Sequence, residues 1–167
     1  MMNHPSQIAE SELLKGCDEQ RTRGSGPGGQ HRNKVETAIV ITHRETGVTG
    51  AGSESREQKR NRENAIFRLR MNLALAVRTP VDSGEPQKLW EKYITGGRIR
   101  INENNPDLPA LLADALNRLE EAKGDLAPVA IALRVTNSQL ARWLKSVSAA
   151  WVLVNRWREQ NNLPRLK

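Results

Sequence analysis

Between Gly24 and Gly29 five of six residues are glycine or proline, and no regular helix or strand can run through such a stretch. The chain must leave one element before it and enter another after it, with an exposed loop between. Downstream, the β-branched residues Val35, Thr37, Ile39, Val40, Ile41 and Thr42 predict a strand over Val35–Arg44. Glu45-Thr46-Gly47 supplies a turn and Val48-Thr49 resumes a second strand, which makes a hairpin. Upstream, Cys17–Arg23 reads as extended and Ser11–Gly16 as one helical turn stopped by glycine. Ser55 with Gln58 fits a capping box, after which Ala65, Ile66, Leu69, Leu73, Ala76 and Val77 recur at helical spacing up to Arg78. The expected fold class of residues 17–78 is therefore α+β: a small antiparallel sheet with a long helix packed on it, preceded by a polar leader over residues 1–16.

The 167 residues have room for two units of about 80 each. Over residues 79–107, Pro80, Gly84, Pro86, Gly96-Gly97 and Pro106 break the pattern, and the stretch reads as a linker with one short strand at Arg98–Ile101. Residues 108–167 predict an all-α unit. Asp107 caps a helix running to Lys123, with Pro109 in its first turn and Gly124 ending it; Asp125 opens another through Arg134. Thr136 and Gln139 form a second capping box ahead of a stripe of Leu140, Trp143, Leu144 and Val147. Ser148 leads into a last helix to about Asn161, with Trp151, Val154 and Trp157 inward. All four tryptophans lie in this second half, as core anchors.

Charge narrows the partners. Against 19 Asp plus Glu stand 26 Lys plus Arg, a net +7, with an isoelectric point near 10.1, the balance of a protein that binds polyanions, RNA first among them. Residues through Arg78 hold 13 basic and 9 acidic side chains and the remainder 13 and 10, so neither half alone carries the excess. Mean hydropathy is −0.64, no apolar run reaches the roughly 18 residues of a membrane span, and the first residues lack a basic segment followed by an apolar block. A cytoplasmic protein with no membrane partner is the expectation. Cys17 is the lone cysteine, with no partner for an internal disulfide and no nearby histidine; no metal and no cofactor is expected.

The glycine loop reads either as a flexible hinge or as a site with chemistry of its own. Water attacking an ester needs stabilisation of the charge growing on the carbonyl oxygen and a grip on a weak neutral nucleophile. Two consecutive glycines, Gly28 and Gly29, let the main chain approach a substrate with no Cβ in the way. Gln30 adds a backbone N–H and a side-chain amide that both donates and accepts. Arg23, His31, Arg32 and Lys34 flank the loop and suit the phosphates of an RNA end. The outer face of the long helix adds Arg56, Lys59, Arg60, Arg62, Arg68 and Arg70, a face that solvation alone would also explain.

Arg23-Gly24-Ser25-Gly26-Pro27-Gly28-Gly29-Gln30-His31-Arg32-Asn33-Lys34, Ala38 through Gly47, and Ser55-Arg56-Glu57-Gln58-Lys59-Arg60-Asn61-Arg62 together resemble the catalytic domain of bacterial-type class I peptide chain release factors. The resemblance covers residues 17 to 78. It implies a loop that enters the peptidyl transferase centre of the large ribosomal subunit, with peptidyl-tRNA as substrate and rRNA as surroundings. By position, Gly28 and Gly29 would shape the loop. The Gln30 N–H would stabilise the oxyanion or the leaving 3′-oxygen, and its side chain would position water. In that family the glutamine is commonly methylated, which makes Gln30 a modification candidate and implies a glutamine methyltransferase as partner.

A codon-reading release factor carries a further domain ahead of this loop, where only about twenty residues stand here. The organisation resembles the ribosome-rescue branch, which hydrolyses peptidyl-tRNA on stalled ribosomes without a codon. It departs from the subgroup with a disordered basic tail, since Leu163–Lys167 is too short for one. Residues 126–147 resemble a helix-turn-helix, with Arg134 where glycine is usual in the turn and Asn137, Ser138, Arg142 and Lys145 exposed on the second helix. Nucleic-acid contact and a structural or protein-docking role both stay open for it. Two functions remain: codon-independent peptidyl-tRNA hydrolysis, and a non-catalytic ribosome- or nucleic-acid-binding regulator that retains the loop domain.

Overall fold

The computed structural model of the chain describes residues 4–23, 37–81 and 85–167, with side chains from residue 88 in the last of these. Gly28, Gly29, Gln30, His31, Arg32 and Lys34 lie outside the described residues, as does the expected start of the second strand at Val35. The fold is α+β. It divides into two compact units, one ending at Val77 and the other spanning Arg78–Lys167.

In the first unit the order is α1 (Glu10–Lys15), β1 (Cys17–Thr22), β2 (Ala38–His43), β3 (Thr49–Gly52) and α2 (Gln58–Ala76). The strands form an antiparallel sheet with β2 central: Thr22 pairs with Ala38, Cys17 with His43, and Thr42 with Thr49. Period-two alternation puts Ile39 and Ile41 under α2, where they pack with Leu13, Ala65, Ile66, Leu69 and Leu73. Strand β1 is an edge whose residues beyond Cys17 are all exposed. Gly47 turns the β2–β3 hairpin at φ +69°, its N–H bonded to the His43 carbonyl at 2.8 Å.

Strand β3 was visible as a hairpin arm, but its decisive residues were not. A Cβ on Gly50 would stand 2.2 Å from the Ala65 carbonyl oxygen, and one on Gly52 2.0 Å from that of Asn61. The backbone of α2 thus rests directly on β3, a separation that only glycine permits.

The start of α2 departs from the expected capping box. Its N-cap is Glu57, with no side-chain cap bond. Ser55 instead accepts from the Glu57 N–H at 3.0 Å, closing a local turn two residues earlier than a box requires. At the other end Ala76, the last residue of the helix, is exposed although 3.6-residue spacing keeps it in line with 66, 69 and 73, and Ala74, off that line, is buried. Within the expected polar leader, His4, Ser6 and Leu13 are buried. Leu13 joins the core, and His4 Nε2 lies 3.1 Å from the Val77 carbonyl oxygen.

The second unit runs α3 (Glu85–Glu91), β4 (Ile94–Thr95), β5 (Arg98–Ile99), α4 (Leu108–Glu121), α5 (Leu126–Ala132), α6 (Asn137–Ser146) and α7 (Ser148–Gln160). Residues 79–107 are therefore more than a linker. Gly96 and Gly97, at φ +57° and +70°, form the two-residue turn of the β4–β5 hairpin, a turn in which both central residues need positive φ. Trp90 is buried, donating to Asp114 at 2.8 Å and meeting Trp143 edge-on at 5.2 Å. Tyr93 donates to Asp107 at 2.7 Å. That bond occupies the carboxylate expected to cap α4, and Asp107 makes no cap bond.

Helix α4 is buried on most of its circumference, from Leu108 through Leu119, as a helix surrounded by others must be. Helices α4 and α5 end at Glu121 and Ala132, two residues short of their expected ends, because Lys123 and Arg134 enter the left-handed region at φ +54° and +56°. The expected caps Asp125 and Thr136 do accept, from Ala127 N–H at 3.0 Å and Gln139 N–H at 3.2 Å. Of the α7 stripe, Val154 is fully buried, while Trp151 and Trp157 are half-buried beneath Lys145 and Arg78.

Candidate functional site

Residues 23–37 join β1 to β2 at the sheet end where Thr22 pairs with Ala38. The loop residues lie outside the described set, but its stem does not. At the stem stands Asn61, wholly buried on the first turns of α2. Its amide nitrogen donates to the Thr37 carbonyl at 2.9 Å and to the Ser55 carbonyl at 2.8 Å, and its oxygen accepts from the Ser55 N–H at 2.8 Å. One side chain thereby ties the residue that opens β2 to the turn that opens α2. All of its hydrogen-bonding capacity but one lone pair is used on backbone groups of Thr37 and Ser55 that lie outside the helix and the sheet.

Around this stem the expected basic face divides in two. Lys59 and Arg60 are exposed in the first turn of α2, next to Asn61, while Arg56, expected on the helix face, is exposed in the bend that precedes the Glu57 cap; none of the three forms an ion pair among the described residues. Arg62 is committed to Glu19 on β1 at 2.9 Å. Arg68 binds the Ala51 carbonyl at 2.7 Å and Glu54, and Arg70 the Ile8 carbonyl at 2.6 Å. The Arg68 hydrogen bond draws the Glu54 carboxyl down to about 2. The far half of the face is thus a set of tethers between α2 and its neighbours, and the free charge gathers at the loop end. Arg23, at the end of β1, is exposed.

Cys17 donates its thiol to the Leu13 carbonyl at 3.2 Å, and burial pushes that thiol up, away from nucleophilic character. Sequence reading passed over Asn61, yet it lies four residues before Ala65 and eight before Leu69, on the apolar stripe. A polar residue on that stripe is the signal that finds it.

In the second unit Asn137, Ser138, Arg142 and Lys145 are exposed on α6, as expected. Beside them Trp90, Glu91, Ile94, Ala132, Leu133 and Arg134 line a concavity of about 230 Å³.

The RF-1 domain matches residues 7–107, from just ahead of α1 to the residue that precedes α4. The chain belongs to the RF-1 domain family. Relatives include a "Peptide chain release factor 1" from Acidiphilium cryptum (strain JF-5), 41% identical over 76 residues, which are 46% of this chain and 22% of the relative. A "Peptide chain release factor 1" from Leptospira biflexa serovar Patoc (strain Patoc 1 / Ames) is 33% identical over 116 residues, 60% of this chain and 33% of the relative. The chain thus spans a third or less of the length of these relatives. Helices α4 to α7 lie beyond the family match. Among the described residues no helix is long and apolar enough to cross a membrane.

Proposed function

We propose that this protein hydrolyses the ester of peptidyl-tRNA on stalled ribosomes, in the cytoplasm, without inspecting a codon. The observation that carries the reading is membership of the RF-1 domain family over residues 7–107, a span that holds Gly28-Gly29-Gln30. In this reading Gly28 and Gly29 let the main chain reach the ester carbon in the peptidyl transferase centre. The Gln30 N–H stabilises negative charge on the carbonyl or 3′-oxygen, and the Gln30 amide holds the attacking water. The bond broken joins the peptide carbonyl carbon to the tRNA 3′-oxygen; water supplies the hydroxyl to the carbon and the proton to the oxygen. Arg23, His31, Arg32 and Lys34, with the exposed Arg56, Lys59 and Arg60, neutralise phosphates of rRNA and of the tRNA end. Gln30 is the site at which a glutamine methyltransferase would act.

The test is release of labelled peptide from ribosomes stalled on mRNA that lacks a stop codon. The parent protein is expected to release it, Gln30→Ala to bind ribosomes yet lose most release, and Gly29→Ala to lose nearly all. Release that needs a stop codon removes codon independence. Full activity of Gly29→Ala removes the assignment of the loop.

A further inference from the structure

The charge of the second unit is unevenly spread along the chain. Residues 79–133 hold six Lys or Arg against nine Asp or Glu, whereas residues 134–167 hold seven against one, Glu159. The final 34 residues therefore carry a net +6, against −3 for residues 79–133. Part of that charge is spent internally: Arg158 donates to the Pro164 and Gly124 carbonyls at 2.7 Å, and Arg165 pairs with Glu159 at 3.2 Å. Of the five cations that remain, Arg134, Arg142 and Lys145 lie on the turn and the second helix of the helix-turn-helix-like pair α5–α6, Arg156 on α7 and Lys167 at the last position.

The turn itself is built at a cost. Val135 N–H bonds the Ala130 carbonyl and Arg134 N–H the Ile131 carbonyl, both at 3.0 Å, which closes α5 with a left-handed residue at its end. Glycine suits that position, but Arg134 occupies it at φ +56°, exposed and unpaired among the described residues. On α6, Ser138, Arg142 and Lys145 succeed one another at four and three residues and share the solvent face opposite Leu140 and Leu144. The exposed Lys145 ammonium lies 5.6 Å over the Trp151 ring, a contact that restrains its side chain. Arg134 also lines the concavity to which Glu91 belongs.

We propose that Arg134 and the outer face of α6 form a docking surface for RNA, gripping phosphates along a folded RNA strand. The proposal deepens the ribosomal reading above and rests on it for the choice of RNA. Lys123 ends α4 in the same left-handed conformation, so backbone strain alone does not single out Arg134; what does is its place beside the exposed Ser138, Arg142 and Lys145 of α6. A-form RNA has a deep, narrow major groove that a helix cannot enter. The contact is therefore to backbone phosphates and 2′-hydroxyls, strong in low salt and nearly blind to sequence.

The test uses the full chain and an end-labelled RNA hairpin with a stem of about 20 base pairs, titrated at several salt concentrations. Arg134→Gln with Arg142→Gln removes two charges from the proposed face, and Arg98→Gln with Arg100→Gln removes two from the exposed β5 side of the same unit. The first pair is expected to weaken RNA binding at least roughly tenfold and to flatten the salt dependence by about one ion per cation removed; the second leaves both unchanged. Equal loss from both pairs, or no RNA binding by the parent, overturns the proposal. Tighter binding to a DNA duplex of the same sequence overturns the choice of RNA. Because hairpin binding is read without ribosomes or peptide release, it stands or falls separately from the hydrolase reading.

Discussion

At Asn61 a single side chain satisfies three backbone groups around the stem of the loop. Asn61→Ala leaves them facing a protein interior, where each unpaired group costs about 1–3 kcal/mol, so a loss of about 3 kcal/mol is expected. Asn61→Asp is expected to do no better, since a carboxylate would face the two carbonyls that the amide now donates to. Urea unfolding followed by far-UV circular dichroism measures both, and a change under about 1 kcal/mol would show that the bonds are dispensable. Arg134 makes the opposite prediction. Arg134→Gly relieves a left-handed arginine and is expected to stabilise the helical unit by about 0.5–1 kcal/mol, net of glycine's larger unfolded-state entropy. Tryptophan emission on heating reports it. If the arginine is held there for RNA, the same substitution raises the melting temperature while weakening hairpin binding, a coupling that a merely imperfect turn would not show.

Strand β3 and helix α2 owe their closeness to two missing side chains. Gly52→Ala would place a methyl 2.0 Å from the Asn61 carbonyl oxygen, against backbone that cannot swing aside. A destabilisation of about 3 kcal/mol or more is expected, read as a lower urea midpoint; an unchanged midpoint would mean that α2 can lift off β3 freely. Arg68, bridging from α2 to Glu54 just past β3, adds a pH-dependent tether. The Glu54 carboxyl is drawn down to about 2 in the folded state, so its contribution is complete above the ordinary carboxylate range and disappears as pH falls toward 2. Both side chains are about half exposed, which holds the gain below about 1 kcal/mol. Arg68→Ala is expected to flatten the loss of stability between pH 5 and pH 2 by about that amount. The elements themselves were legible. Period-two alternation in β2 and the 3.6-residue stripe of α2 follow from which face meets the core. The Ser55 box failed because a hydroxyl two residues too early closes its own turn. Gly50, Gly52 and the Gly96-Gly97 hairpin were passed over because glycine between apolar runs reads first as a break, and only the packing partner shows what the gap is for. Of the candidate site, the tripeptide was plain in the letters. The division of the basic face was not, because which arginines turn to their own carbonyls is decided by distances across the fold.

The family match and the structural units do not end together: the match runs to residue 107, while the second unit begins at Arg78. Residues 78–107 thus belong by sequence to the family segment and by packing to the helical unit. Trp90 is buried against Trp143 and bonded to Asp114, Tyr93 is bonded to Asp107, and Thr79 exchanges hydrogen bonds with Asn117 at 2.9 and 3.2 Å. If these contacts are integral, a fragment of residues 78–167 is expected to fold alone with one cooperative transition, and all four tryptophans then report it. A fragment of residues 108–167 lacks Trp90 and leaves Asp114 beside Arg118 with no indole donor. Loss of a buried tryptophan alone costs about 3–5 kcal/mol, a large share of what a domain this small can hold. The shorter fragment is therefore expected to lose cooperative unfolding and to bind a hydrophobic dye. Equal stability of the two fragments would return residues 79–107 to the role of a linker and confine the helical unit to α4–α7.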